Sequence, residues 1–173
     1  MPATPPEPAG MSNSLLPTAP ALDEPLEMLE ACHDRIEAQL RTLERLLAYL
    51  QGHGADEQAR GAAQAILRYF DLAGPNHHED EERDLFPVLA ARADPAEAAG
   101  VRDLISDLLA DHARMAAALA VVRGQLAPIA AGEAAELEET AVRRLTSLYR
   151  DHIERENREL LPLAHRLLAQ QDI

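Results

Sequence analysis

The 173-residue chain has no Trp and no Lys, a single cysteine, and aromatic residues at only 3%. The one thiol, Cys32, cannot close an intrachain disulfide or build a cysteine-based zinc site. No apolar run approaches the ~20 residues of a membrane span. The first basic residue is Arg35, so the N-terminus lacks the charged start and apolar run of a signal peptide. A cytoplasmic, soluble protein is the expectation. All sixteen basic residues are Arg, against thirty acidic ones, for a net charge of −14. Such a surface repels nucleic acid and anionic membrane, so neither is the expected partner. Hydrophobic residues at 47% with charged residues at 27% exclude a disordered chain, and the length suits one domain. Few β-branched or aromatic residues, against many Ala, Leu, Arg and Glu, favour helices over sheets.

Seven of the twelve prolines fall between Pro2 and Pro25. That composition opposes helix and sheet alike, so residues 1–23 are expected to form a flexible tail and residues 24–171 a folded domain. Within the domain, four amphipathic stretches alternate with short Gly/Pro breaks. The first, from about Glu24 to Gln51, carries Leu26, Leu29, His33, Ile36, Leu40, Leu43, Leu47 and Leu50 in steps of three and four. The second, from about Ala55 to Ala93, is interrupted at Gly74-Pro75 and offers Ile66, Phe70, His77, Glu81, Leu85 and Val88 as an inner face. Asp94-Pro95-Ala96-Glu97 reads as a cap, a first-turn proline and a third-position acid. The third stretch carries Val101, Leu104, Leu108, His112, Met115, Leu119 and Val122 and stops by Pro128. The fourth starts near Glu133 and carries Val142, Leu145, Tyr149, His152, Glu156, Leu160, Leu163 and Leu167. Short breaks make neighbouring helices antiparallel, which predicts an all-α, up-down-up-down four-helix bundle.

Polar residues interrupt these apolar stripes where a bundle made only for packing would place Leu. His33, His77, Glu81, His112, His152 and Glu156 all fall on core-facing positions. Burying such groups without partners costs several kcal/mol, so they must pair or bind something. The two halves also repeat. His77-x-x-x-Glu81 with Leu85-Phe86-Pro87 matches His152-x-x-x-Glu156 with Leu160-Leu161-Pro162 at a constant offset of 75 residues. His33 and His112 open the two halves in similar settings, His33-Asp34-Arg35-Ile36 beside His112-Ala113-Arg114-Met115. Each half is a helical hairpin with one His on its first helix and a His/Glu pair on its second.

A spacing of four advances ~6 Å along a helix and returns nearly to the same face, so each His/Glu pair can reach one metal or two adjacent ones. Four imidazoles and two carboxylates exceed one tetrahedral zinc. They suit two ions, and the mixed nitrogen and oxygen set favours iron or manganese. A two-fold repeat gives His33 and His77 to one ion and His112 and His152 to the other, with Glu81 and Glu156 bridging. A metal-free reading would make the same residues a hydrogen-bonded polar core. A ferritin-like carboxylate site needs two Glu-x-x-His pairs, and only Glu30-x-x-His33 is present.

The tract His77-His78-Glu79-Asp80-Glu81-Glu82-Arg83-Asp84-Leu85-Phe86-Pro87 resembles the signature of the hemerythrin-like, HHE cation-binding family, and His152-x-x-x-Glu156 with Leu161-Pro162 resembles its second copy. His33 and His112 fall where that family places the first ligand of each half. The resemblance spans about Glu24 to Gln170. It implies a four-helix bundle around a non-haem di-iron centre that binds dioxygen, nitric oxide or related oxidants such as peroxide, or handles iron. An oxidoreductase using the same ligands is the alternative. The chain departs from oxygen-carrying hemerythrins, which place two histidines four apart on the third helix: here Leu108 and Ala116 flank His112 at that spacing. The remaining set resembles the branch associated with iron–sulfur cluster repair, nitric-oxide response or iron sensing. Glu37, Glu79 and Glu82 are candidate stand-in ligands, and His78, four before Glu82, is an alternative to His77. Tyr149, three before His152, either packs or hydrogen-bonds at the site, while Cys32 reads as a packing residue and His53 and His165 as surface ones.

Overall fold

The computed structural model describes residues 24–169. The expected proline-rich tail, residues 1–23, lies outside them, as does the expected domain limit at residue 171. Four helical rods form a closed ring. The first is α1, Glu24–His53; the second is α2, Glu57–Asp80, continued through a π-helical turn, Glu81–Leu85, into α3, Phe86–Arg92. The third is α4, Ala98–Ala130. The fourth is α5, Glu139–Arg155, continued through a second π turn, Glu156–Leu160, into α6, Leu161–Ala169. Rod two packs on rods one and three, rod four packs on three and one, and α3 meets α6. This is the antiparallel four-helix bundle of the sequence reading. No helix among the described residues is long and apolar enough to cross a membrane.

The ends of the rods follow local chemistry. Gly54 (φ 64°) ends α1 and Gly132 (φ 73°) ends α4, both in the left-handed region that side chains with a Cβ avoid. The Asp56 carboxylate caps α2 by accepting from the Ala59 amide at 2.9 Å. Asp94 accepts from the Ala96 and Glu97 amides, and the Glu97 carboxylate accepts from the Asp94 amide, a reciprocal capping box ahead of α4. Glu97 also pairs with Arg166 at 2.7 Å, which ties the start of α4 to α6.

Several expectations are corrected. Gly74-Pro75 does not interrupt the second rod, because α2 runs unbroken to Asp80. Pro128 lies inside α4, which ends at Ala130. The last rod begins at Glu139, not near Glu133: Gly132 turns the chain, residues 134–138 run without helix, and Gln125 accepts the Glu138 amide at 2.8 Å. The largest correction concerns register. Phe86 and Leu89 are buried where Leu85 and Val88 were expected, and Leu161 and Ala164 are buried while Leu163 is only partly so. A π turn inserts one residue into the α repeat, so the core stripe advances by one beyond Glu81, and beyond Glu156 Leu161 and Ala164 join the expected Leu160 and Leu167. Leu46 likewise takes the buried place expected of Leu47. Pro87 and Pro162 follow at the second position of each resumed α-helix, where a missing N–H is tolerated.

The interior is two apolar clusters with a polar layer between them. The larger cluster runs from Ile36 to Leu50 on α1, Ala59 to Phe70 on α2, Met115 to Ile129 on α4, and Val142 to Tyr149 on α5. The smaller contains Leu26, Phe86, Leu89, Val101, Leu108 and residues from Leu160 to Leu167. His33, His77, Glu81, His112, His152 and Glu156 occupy the break in every rod, each at most 6% exposed.

Candidate metal centre

Each polar residue is held at its depth by apolar neighbours on its own helix. His33 sits between Leu26 and Ile36, His112 between Leu108 and Met115, and His152 three residues after buried Tyr149. Glu81 and Glu156 are each the first residue of a π turn, and the Phe86 and Leu161 amides bond back to their carbonyls. The widened turn thus begins at the carboxylate in both halves.

The pairing crosses between hairpins. Glu156, from the second hairpin, lies against His152 Nε2 and 2.7 Å from His33 Nε2 of the first. Glu81, from the first hairpin, lies 2.7 Å from His77 Nε2 and 3.3 Å from His112 Nε2 of the second. One ligating atom from each of His33, His77, Glu81 and Glu156 lie within 4.8 Å of one another, and the same holds for Glu81, His112, His152 and Glu156. The two groups share both carboxylates.

Distance and alignment disagree inside the layer. His77 Nδ1, both Glu81 oxygens, His112 Nε2, His152 Nε2 and Glu156 Oε1 are buried without an aligned hydrogen-bond partner, although several lie within 3.3 Å of an opposite group. Buried polar atoms left this way are costly and rare. Imidazole and carboxylate lone pairs converging on common points are what a bound cation requires, so the donor set fits a metal.

Outside this layer a second set orients the imidazoles. His33 Nδ1 donates to Asn157 Oδ1 at 3.0 Å, His112 Nδ1 to Glu82 Oε1 at 2.7 Å, and His152 Nδ1 to Asp111 Oδ2 at 3.2 Å. Fixing the proton on Nδ1 leaves Nε2 facing inward as the available donor. Asp111 is itself held by Arg114 and Arg155. Sequence reasoning missed Asn157 and Asp111 and assigned Glu82 only as a stand-in ligand. The signal was present, since Glu82 and Asn157 follow the two repeat glutamates and are themselves 75 residues apart. We expect Asn157→Ala and Glu82→Ala each to weaken metal binding by about 10–100-fold without unfolding the bundle, checked by competitive chelator titration beside helical content.

The charges follow from the geometry. Burial disfavours the charged His33 and His112, yet their carboxylate neighbours outweigh it and raise both above the ordinary imidazole range. Burial likewise opposes ionised Glu156, but the His152 and His33 imidazoles against it hold its carboxyl well below the usual range. His78 is the exception: burial first, then the neighbouring His112 and His77, push it down to about 3, so its ring is neutral. His78 is half-buried, with its ring stacked 4.0 Å from that of His112.

The remaining candidates separate. Glu37 is drawn outward to Arg150 at 3.1 Å, which also grips Glu44, and Glu79 pairs with Arg83 on the exposed face. Tyr149 packs its ring 5.6 Å from Phe70, and burial raises its phenol. His53 stacks on Tyr49 at the surface, and His165 is exposed. Cys32, its thiol raised chiefly by burial, lines an apolar cavity of about 460 Å³ whose walls include Leu26, Leu29 and Val88 and which reaches His77 and Glu81.

The hemerythrin HHE cation binding domain matches residues 24–164, most of the chain and all of the layer just described. The chain belongs to this family. A 67-residue stretch of this hemerythrin HHE protein is also 45% identical to an uncharacterized protein of Haemophilus influenzae, covering 39% of each chain. The chain therefore spans well under half of that relative. Membership in the HHE family implies metal-ion binding, and the buried His/Glu cluster is where the structure can hold it.

Proposed function

We propose that this HHE protein holds a non-haem di-iron centre and binds a small molecule such as dioxygen, nitric oxide or peroxide there, in the cytoplasm. The observation that carries the reading is the pair of four-residue groups sharing Glu81 and Glu156. His33 and His77 would hold one ion, His112 and His152 the other, and the two carboxylates would bridge them; manganese suits the same donors. When bound, such a pair supplies Lewis acidity and one-electron chemistry toward small oxidants.

The chain's own residues do the rest. Asn157, Glu82 and Asp111 fix three imidazoles so that Nε2 faces the centre. Phe86, Leu108 and Leu161 wall off bulk water from the smaller-cluster side, and Phe70, Met115 and Tyr149 do so from the other. The largely apolar cavity that reaches His77 and Glu81, with Asp80, Asp84 and Arg92 also in its lining, gives a small molecule an approach to the centre. The single half-buried thiol and the absence of any disulfide suit a reducing compartment.

Metals per chain and an absorption spectrum, taken on protein purified in air without added metal, test this. Near two irons with near-ultraviolet oxo-to-iron bands is the expected result. His77→Ala and His152→Ala should each lose most of that metal while staying helical. Wild-type metal content in both variants would refute the ligand assignment, and one zinc or none in the parent protein would refute the centre.

A further inference from the structure

No second histidine stands four residues from His112 on its helix, and the structure brings another imidazole, His78, beside it. One ring nitrogen from each of His78, His112 and His152 lie within 4.8 Å of one another. With a ~2.1 Å metal–imidazole bond, donors on one ion sit about 3.0 Å apart when adjacent and about 4.2 Å when opposite, so side-chain rotation toward a shared ion would close that triangle. The His78 ring is already stacked on His112 at 4.0 Å and lies edge-on to His152 at 6.0 Å.

The first half of the repeat alone supplies this group. The residue 75 positions after His78 is Ile153, which is partly buried against the larger apolar cluster. Among the described residues no third imidazole joins the metal-capable group of His33 and His77, which is completed by the two glutamates. The repeat that gives both halves a His/Glu pair is not kept at this position.

We propose that His78 is a third nitrogen donor to the ion held by His112 and His152, making the two ions inequivalent. The proposal rests on the two-ion reading above. The His33/His77 ion then keeps the lower nitrogen count, and it is the one whose ligand His77 lines the apolar cavity. Cys32 and Leu29 border that approach, with the charged Asp80, Asp84 and Arg92 on its α2–α3 side. An open position is thereby directed to one side of the centre.

The test compares the full-length, iron-loaded protein with His78→Phe, which keeps a flat ring over His112 while removing the nitrogen. Mössbauer spectra of the wild type should show two doublets of equal area with different splittings. His78→Phe should keep its helical content, lose iron from near two per chain toward one on dialysis against a weak chelator, and bind the second iron about tenfold or more weakly. Two irons retained with an unchanged spectrum would overturn the role of His78 and leave the di-iron reading standing. A single doublet from the wild type would overturn it regardless of how the variant folds. A wild type without two irons would overturn both.

Discussion

Glu156→Gln should lower iron affinity by more than about 100-fold while the metal-free protein stays folded. The expected loss exceeds the ~10–100-fold cost of removing an outer orienting partner, because Glu156 touches both hairpins itself. Its two oxygens face His33 and His152, and it is 1% exposed. Gln keeps the shape and one acceptor oxygen but removes a negative charge from a site that would hold at least two divalent ions. In so dry a layer that charge is poorly replaced by solvent. Without metal the cost is smaller, about 1–3 kcal/mol, since His33 can shed a proton instead of remaining as an unpaired cation. Chelator competition and thermal unfolding of the apo forms separate the two effects. Glu154→Gln, four residues from the exposed Arg158, serves as the control and should change neither. Iron affinity unchanged in Glu156→Gln would remove Glu156 from the centre.

The balance of what the chain disclosed in sequence and what it withheld has a physical pattern. Stripes in steps of three and four marked the rods, and the same steps put His33, His77, Glu81, His112, His152 and Glu156 at core depth, where the structure has all six buried. The 75-residue offset showed the two hairpins to be copies. Periodicity failed at features that do not repeat with a helical period. A π turn adds one residue with no composition of its own, so Glu81-Glu82-Arg83-Asp84-Leu85 reads as ordinary helix and the stripe beyond it was assigned one position early. Gly74-Pro75 looks like a break, yet the rod is held on both sides by packing that a local preference does not outweigh. The contacts of His33 with Asn157 and of His112 with Glu82 span 124 and 30 residues, so no local rule finds them. His78 escaped for a related reason. Its neighbour His77 satisfied the repeat, and only the folded bundle shows that His78 lies against a different pair of histidines.

The position of the layer leads to the second large effect, which is mechanical. Among the described residues, the buried apolar ones number seventeen on one side of it and nine on the other. The smaller side is built from short pieces, the seven-residue α3 and the nine-residue α6, with the first turns of α1 and α4. Helices of that length do not hold alone in water and depend on what they pack against. A centre that joins all four rods at the layer would clamp that end to the larger cluster. Stripping the metal should therefore lower the melting temperature by about 10 °C, which corresponds to roughly 4 kcal/mol of ligand-linked stability in a domain of this size. The loss should be uneven. Amide hydrogen exchange in the chelated protein should speed by at least about tenfold across Phe86–Arg92, Val101–Leu108 and Leu161–Ala169, while Leu40–Leu50 and Met115–Leu126 keep their protection. The π turns lie at the boundary, so Glu81 and Glu156 would be the points from which that end opens. Equal acceleration at both ends would mean that the bundle responds to metal as one cooperative unit, and no acceleration would mean that the two apolar clusters need no tie between them.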